Sequence, residues 1–599
     1  MATPFEIGAR IRDAKKMTHG FVRYVGPVCS DKKQPDRVWI GVEWDDVTRG
    51  KHDGSAVDAA GATVRYYTCA QGAGSFVKPR TVTGASSITD ALRNRYEPHD
   101  GLTGSSHILG AASTSSGQEI KIELVGTDKI RERQKLVDLT TATLVETTAG
   151  NAGETGELKR CCPNLVALDL DHTLVTSWSD VVTGIGAELA LHTLRLGRNP
   201  LSGLEKIAPG AVAAAFPALR ILSLNGTRTS WPTVRRLLVE LPVLTELYLA
   251  GNAIGTLGFA EIMGHGDGAG DATLDATRGA ARAGLERLEV LDLAGNGIAS
   301  WAADGLLELA TLPRLETLVL DGNALCDFDG VYDAAAPEEA TAARFSALRC
   351  LALNDNAFAS WETLDALDHL PALTDLRLLR NPITRESGPR RSRQTLIARI
   401  AKLQRLNNSE VRVRERREVE QLYLKQLLTK VYEAAGAGGI TGEGAAAAEA
   451  VRVAARASHP RFDALMALHP EIASMIAATA ARARKAGAAG SGLGRNVVKI
   501  ELGSSAVESM AMPLKTKRLL RSMKITNVKV LCAKLFKLDV SKQRLYLHER
   551  SHPLPIELDD DERDLDYFGV QDGGKIMMHS IDDDGRGKEK EKGEEVPES

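Results

Sequence analysis

Leucines recur along the middle of this chain in the pattern LxxLxLxxNxL, which opens at Leu165, Leu191, Leu219, Leu244, Leu288, Leu315, Leu348 and Leu373. The ninth position is Asn199, Asn252, Asn296, Asn323, Asn356 or Asn381, with Thr173 and Thr227 in the other two copies. The central L-x-L alternates as a strand does, placing every second side chain on one face. Each copy therefore predicts one short strand whose leucines enter a shared core. The asparagine can bond backbone groups where the chain turns away. One copy cannot bury its apolar face alone, so eight predict a stacked solenoid. The residues between the leucines face the concave side: Asp169, Arg195, Ser223, Tyr248, Asp292 and Arg377, with Val319 and Ala352. Their polar, irregular mixture predicts a protein-binding surface rather than a small-molecule pocket.

This is the signature of leucine-rich repeats. Most copies begin 25 to 28 residues after the last, and two longer gaps predict insertions near 262–284 and 329–344. A [TA]-S-W triplet recurs at Trp178, Trp231, Trp301 and Trp361. Its serine is suited to capping the outer helix and its tryptophan to covering the core.

The flanks differ in pattern. Residues 1–82 hold strand-like runs such as RVWIGVEW and many glycines, which predicts a small β-rich module. Residues 83–160, Ser/Thr/Gly-rich around 100–118, read as a linker, and 161–430 as the solenoid with a C-terminal cap. Residues 431–494 are an Ala/Gly-rich linker in which HPRFDALMALHP predicts a short docked helix. Residues 495–582 form a compact mixed module, and 583–599 a disordered charged tail.

Composition narrows the function. A net charge of −3 argues against a nucleic-acid binder. Seven cysteines without regular spacing make no disulfide framework and point to a reducing compartment. The opening MATPFEIGARIRD has no apolar h-region, and no run of 18 apolar residues occurs. The expectation is a cytoplasmic protein with no membrane partner. Two enzyme-like motifs fail on context. LDLDHTLV resembles the DxDxT motif of haloacid-dehalogenase phosphatases, but Asp169 and Asp171 lie in register with the first repeat. HERSH at His548–His552 matches HExxH, but follows a strand-like run and precedes Pro553 and Pro555, whereas a zinc site needs a helix there. No enzyme, metal or cofactor is expected.

The run GFVRYVG…VWIGVEW…RGKHDG…YYTC…GAGSFV resembles a CAP-Gly domain, with Gly20, Gly26, Gly41, Gly50, Gly54 and Gly74 at its turns. That resemblance implies binding of acidic C-terminal tails ending in an aromatic residue, such as that of α-tubulin. Residues 1–80 carry 13 basic and 9 acidic residues, a balance that suits an acidic peptide. The motif Gly50, Lys51, His52, Asp53, Gly54 is the expected tail site, with Trp44, Phe76 and Trp39 as candidates for the ring slot and Trp39 the one expected in the core. His52 replaces the asparagine usual in the family, and the stretch Ser55–Thr63 looks longer than usual.

Residues 495–580 resemble a ubiquitin-like domain (an α+β β-grasp fold): NVVKIEL as first strand, a helix with Val528, Leu531, Cys532 and Leu535 on one face, then QRLYLHE and LDYFGVQDGGKIMMH. Leu545 and Tyr546 fall at the expected docking patch, unless Leu545 is core and Tyr546 an ordinary surface aromatic. The order CAP-Gly, leucine-rich repeat, ubiquitin-like resembles the tubulin-folding cofactor E family, including a solenoid cap at Leu403–Leu424. The resemblance implies a chaperone that binds α-tubulin with cofactors B, C and D and associates with the cytoskeleton. It leaves the ubiquitin-like end to dock onto tubulin, a cofactor or the proteasome. The competing readings are a CAP-Gly microtubule adaptor and a ubiquitin-pathway adaptor.

Overall fold

The computed structural model describes residues 5–97, 135–258, 282–331, 344–437, 453–475 and 497–581, apart from a few positions within them, and two short strands at Ala112–Ser113 and Glu119–Ile120. Most of both insertions, most of the Ala/Gly-rich stretch, most of the 100–118 segment and the tail lie outside the described residues. The chain divides into two units, 1–416 and 417–599.

Eight parallel three-residue strands form the solenoid: Ala167–Asp169, Thr193–Arg195, Ile221–Ser223, Glu246–Tyr248, Val290–Asp292, Thr317–Val319, Cys350–Ala352 and Asp375–Arg377. Their central leucines stand in one row: Leu168, Leu194, Leu222, Leu247, Leu291, Leu318, Leu351 and Leu376. All eight are buried. Strands this short gain little from pairing alone, and the asparagines fasten them. The amide of Asn199 donates to the Leu170 carbonyl of the previous repeat at 2.7 Å, and its oxygen accepts from Thr173 N at 2.9 Å. Asn252, Asn296, Asn323, Asn356 and Asn381 likewise donate to the preceding repeat at 2.8–3.0 Å. Thr173 and Thr227 donate to the Leu170 and Leu224 carbonyls of their own repeats, and their hydroxyls also lie 3.3 Å from the amide oxygens of Asn199 and Asn252 in the next repeat. Trp178, Trp231 and Trp301 are buried, and Trp361 is half-buried. The Ser300 and Ser360 hydroxyls accept from Ala303 N and Glu362 N, whereas Ser230 caps nothing.

Residues 83–160 are not simply a linker. Thr141–Thr143 adds a parallel strand ahead of the first repeat. Ala149–Asn151 pairs with Ser86–Ser87, and the helix Ile88–Tyr96 starts at Ser87, whose hydroxyl accepts from Asp90 N at 2.9 Å. An end repeat exposes its leucine face, so the chain must cover it, and this segment does so. At the other end the strands Arg405–Leu406 and Ser409–Glu410 close the sheet.

The first module is a five-stranded antiparallel sheet in the order Gly74–Val77, Trp39–Trp44, His19–Gly26, Arg10–Asp13, Val82–Gly84. It packs against the solenoid's first turn. His19 Nδ1 lies 2.9 Å from His172 Nε2, and Arg12 donates to the Glu146 carbonyl. Burial, with His172 and Arg10 beside it, pushes the His19 pKa down to about 3.

In the second unit, Leu424, Leu427 and Leu428 of the helix Val413–Ala437 pack on Phe462 and Leu465 of the helix Phe462–Leu468. The last module is a mixed sheet in the order Lys515–Leu520, Val497–Ser504, Lys575–Ser580, Gln543–His548, Ile556–Glu557. Val497–Ser504 and Lys575–Ser580 run parallel and the other pairs antiparallel. The helix Ile525–Phe536 buries Val528 and Cys532 against it, with Leu531 and Leu535 partly buried.

Two outcomes follow from this packing. Asn252→Ala removes two bonds to Leu224 and Leu249 carbonyls and one from Thr229 N. At roughly 1–3 kcal/mol per stranded buried group, the repeats should lose about 3 kcal/mol or more. Asn252→Thr should lose less, because threonine restores the bond that Thr227 makes. Hydrogen exchange of repeat amides in the full chain measures both. Because the folded pKa of His19 is depressed, its contribution to stability is intact above about pH 6.5 and is lost as pH falls from there towards 3. Thermal melts of the full chain should show a smaller loss below pH 6 for His19→Gln than for the native chain.

Candidate peptide-binding sites

The loop Gly50–Gly54 is fastened to the strand Gly74–Val77. Lys51 N donates to Gly74 O at 2.7 Å, and Gly74 N donates to His52 O at 2.8 Å. This closeness demands glycine. A Cβ at Gly50 would lie 2.3 Å from Gly72 O, and Gly54, at φ +96°, would meet Tyr67 O at 2.1 Å. His52 Nδ1 accepts from Gly54 N at 3.0 Å, so the ring proton is on Nε2. Burial lowers its pKa, keeping it neutral at pH 7. The His52 ring stacks on Phe76, with centroids 4.7 Å apart.

Phe76 is half-buried at the centre of an aromatic cluster. Tyr66 and Tyr67 meet it edge-on at 5.4 and 5.7 Å, and Tyr24 at 6.4 Å. Tyr24 and Phe76 both pair with Gly41, whose missing side chain makes room for the Tyr67 ring, 2.5 Å from where a Cβ would lie. Tyr67 is buried, its hydroxyl bonded to Val42 O at 3.0 Å. Tyr24, Tyr66 and Phe76 keep a face to solvent beside the exposed Lys51. The three tyrosines join the candidate site through Phe76, although the sequence reading did not select them; the Tyr66–Tyr67 pair opposite the glycine-rich loop was the available signal.

Two expected residues have other roles. Asp53 binds Ser55 and, at 2.7 Å, Arg65, which hold its carboxyl down to about 2; it braces the loop. Trp44 is buried, with the Arg49 guanidinium 3.4 Å from its ring centroid, so it cannot line the slot. Trp39 was the expected core residue, yet it is half-buried. Parity explains the reversal: Trp44 shares the inner face with Ile40 and Val42, while Trp39 shares the face of Gly41.

On the concave face, Arg195 is exposed, and Asp169, Tyr248, Asp292 and Arg377 are partly so, but Ser223 is buried and offers little to a partner. Tyr248 donates to Glu246 at 2.7 Å, and burial pushes its phenol up to about 12. Asp169 and Asp292 accept from Asp171 N and Ala294 N at 3.0 and 2.9 Å. Asp171 accepts from Gly197 N at 2.6 Å. The DxDxT carboxylates are thus engaged with the repeat backbone. His548 ends a strand, and the rest of HERSH lies outside the described residues. Among the described residues no cluster of His, Cys, Asp or Glu is suited to a metal.

Leu545 and Tyr546 point to opposite faces. Leu545 is fully buried with Leu547, Ile576 and Met578, which corrects its assignment to a docking patch. Tyr546 is on the outer face, its ring edge-on to His579 at 4.7 Å.

Family models match residues 7–82 as a CAP-Gly domain, 279–431 as leucine-rich repeat and 497–586 as a ubiquitin-like domain. The chain is 29% identical to "Tubulin-folding cofactor E" of Arabidopsis thaliana, over 96% of this chain and 98% of that protein. It is 30% identical to "Tubulin-specific chaperone E" of Danio rerio, over 93% and 96%, and 28% identical to the Homo sapiens protein of that name, over 94% and 96%.

The two ubiquitin-like positions separate in a stability measurement. Leu545→Ala should cost the last module about 2–5 kcal/mol, read as faster hydrogen exchange across Gln543–His548 in the full chain. Tyr546→Ala should leave that exchange nearly unchanged.

Proposed function

Because the chain belongs to the tubulin-specific chaperone E family, whose members also carry the name tubulin-folding cofactor E, we propose that it captures α-tubulin and, with cofactors B, C and D, takes part in assembling and dissociating the αβ-tubulin heterodimer. Its role is that of a tubulin-folding chaperone. The observation that carries the finer reading is the aromatic slot of the CAP-Gly module, open beside an exposed lysine. An acidic tail with a terminal aromatic ring fits it. The ring enters among Tyr24, Tyr66 and Phe76, and the carboxylates meet Lys51. The glycines at 50 and 54 let the tail backbone approach.

The concave solenoid face, including Asp169, Arg195, Tyr248, Asp292 and Arg377, then engages the body of α-tubulin. Tethering raises the local concentration of each site for the other's ligand, so two modest contacts make one firm grip. Tyr546 is the docking residue left to the ubiquitin-like module, for tubulin, another cofactor or the proteasome. The protein works in the cytoplasm by binding, without a catalytic centre of its own. Any nucleotide in the complex belongs to tubulin.

A peptide with an acidic, tyrosine-terminated tail should bind the full chain. Phe76→Ala and Lys51→Ala should each weaken it about tenfold, equivalent to ~1.4 kcal/mol, in a fluorescence titration. In size-exclusion chromatography with soluble tubulin, α-tubulin should co-elute with the chain, less so with Lys51→Ala. Binding to polymerised microtubules alone would favour a microtubule adaptor instead, and phosphatase activity abolished by Asp169→Asn would defeat the non-catalytic reading.

A further inference from the structure

The far end of the solenoid carries charge of one sign. Residues 382–416 hold nine arginines and one lysine against three acids, in a chain of net −3. Four of these arginines serve the fold. Arg399 pairs with Asp365 and Arg405 with Asp375, each at 2.7 Å. Arg416 donates to the carbonyls of Ile397, Ile400 and Leu403. Arg393 grips Glu415 at 2.7 and 3.0 Å and donates to Glu410 O at 2.8 Å.

That last clamp joins the N-terminal halves of two helices, Pro389–Arg399 and Val413–Ala437. Arg390, Arg391, Arg412 and Arg414 therefore lie within a turn or two of one junction, and all four are exposed. Among the described residues Arg385, Arg391 and Arg412 make no close ion pair, although Arg385 helps hold down the Asp355 carboxyl and Arg412 that of Glu415. Between Arg412 and Arg414, Val413 is 89% exposed.

We infer that this junction is a second binding site, for a Glu/Asp-rich polypeptide segment. The choice of arginine decides the ligand chemistry, since a guanidinium meets a carboxylate with two parallel hydrogen bonds. A nucleic-acid strand would want aromatic rings for its bases, and residues 382–416 contain none. A membrane surface would want a broad apolar face, and Val413 is the sole exposed large hydrophobic in the stretch among the described residues.

The site is distinct from the CAP-Gly slot. The slot's module packs on the first turn of the solenoid, and the arginine junction follows the last strands of the same sheet. At about 4.8 Å per strand, nine strand steps separate the two ends by roughly 40 Å. A single tail would need about 12 extended residues to reach both. The second site requires no terminal aromatic ring and does not depend on the tail reading of the slot.

The test is fluorescence anisotropy of the full chain with a labelled oligo-glutamate peptide whose C-terminus is amidated, so that it offers the slot no terminal carboxylate or ring. Arg385→Glu, Arg391→Glu and Arg412→Glu together should weaken binding about tenfold or more, while Lys51→Ala leaves it within about twofold. The milder set Arg385→Gln, Arg391→Gln and Arg412→Gln, with an unchanged melting curve, should give a smaller loss in the same direction. Equal binding by the native chain and both triple variants would overturn the site. So would loss with Lys51→Ala alone, which would assign the peptide to the slot. An oligonucleotide or phosphatidylserine vesicles that bind more tightly than the peptide, and lose binding in the same variants, would overturn the acidic-polypeptide occupant.

Discussion

The asparagine ladder is the constraint from which the solenoid's geometry follows. Each buried side-chain amide ties a strand to the turn of its neighbour, and the strands are too short to hold themselves. A backbone group at a buried turn must find a partner, and here the partner comes from the next repeat. That requirement fixes the parallel register, stacks the leucines in a row and places alternate residues on the concave face. It also makes both ends incomplete, which is why Thr141–Thr143 precedes the repeats and a short hairpin follows them.

The CAP-Gly module obeys a different constraint, close backbone approach. The loop Gly50–Gly54 and the strand Gly74–Val77 touch where any Cβ would collide, and the aromatic cluster lies over the space left at Gly41. Because the module is anchored to the solenoid through His19, Arg12 and the strand Ser86–Ser87, the slot has a set position relative to the concave face. On the proposed reading, a tail held there would meet the solenoid from a defined side, the condition under which tethering raises affinity.

Net charge conceals the electrostatic design. The whole chain is slightly acidic, yet both the CAP-Gly module and the end of the solenoid are locally basic. Charges further apart than a Debye length of about 8–10 Å are screened from one another. A partner therefore responds to the local surface rather than to the sum.

Most of the architecture was legible in the sequence because it rests on periodicity. Leucine spacing determined the eight repeat strands, their register and the role of the asparagines; the glycine-rich loop and the final β-grasp pattern identified the flanking modules. The linker reading of 83–160 failed because a capping segment has no repeat of its own, and only the exposed leucines of the first repeat create the need for it. The roles of Trp39 and Trp44, and of Leu545 and Tyr546, turned on which face of a strand looks inward. A sequence shows that neighbours alternate, but the partner across the core decides which alternate is buried. The clustering of Tyr24, Tyr66, Tyr67 and Phe76, and of arginines from two separate helices, was likewise settled only by tertiary structure. Residues distant along the chain acquire a common site through packing, and no local pattern records it.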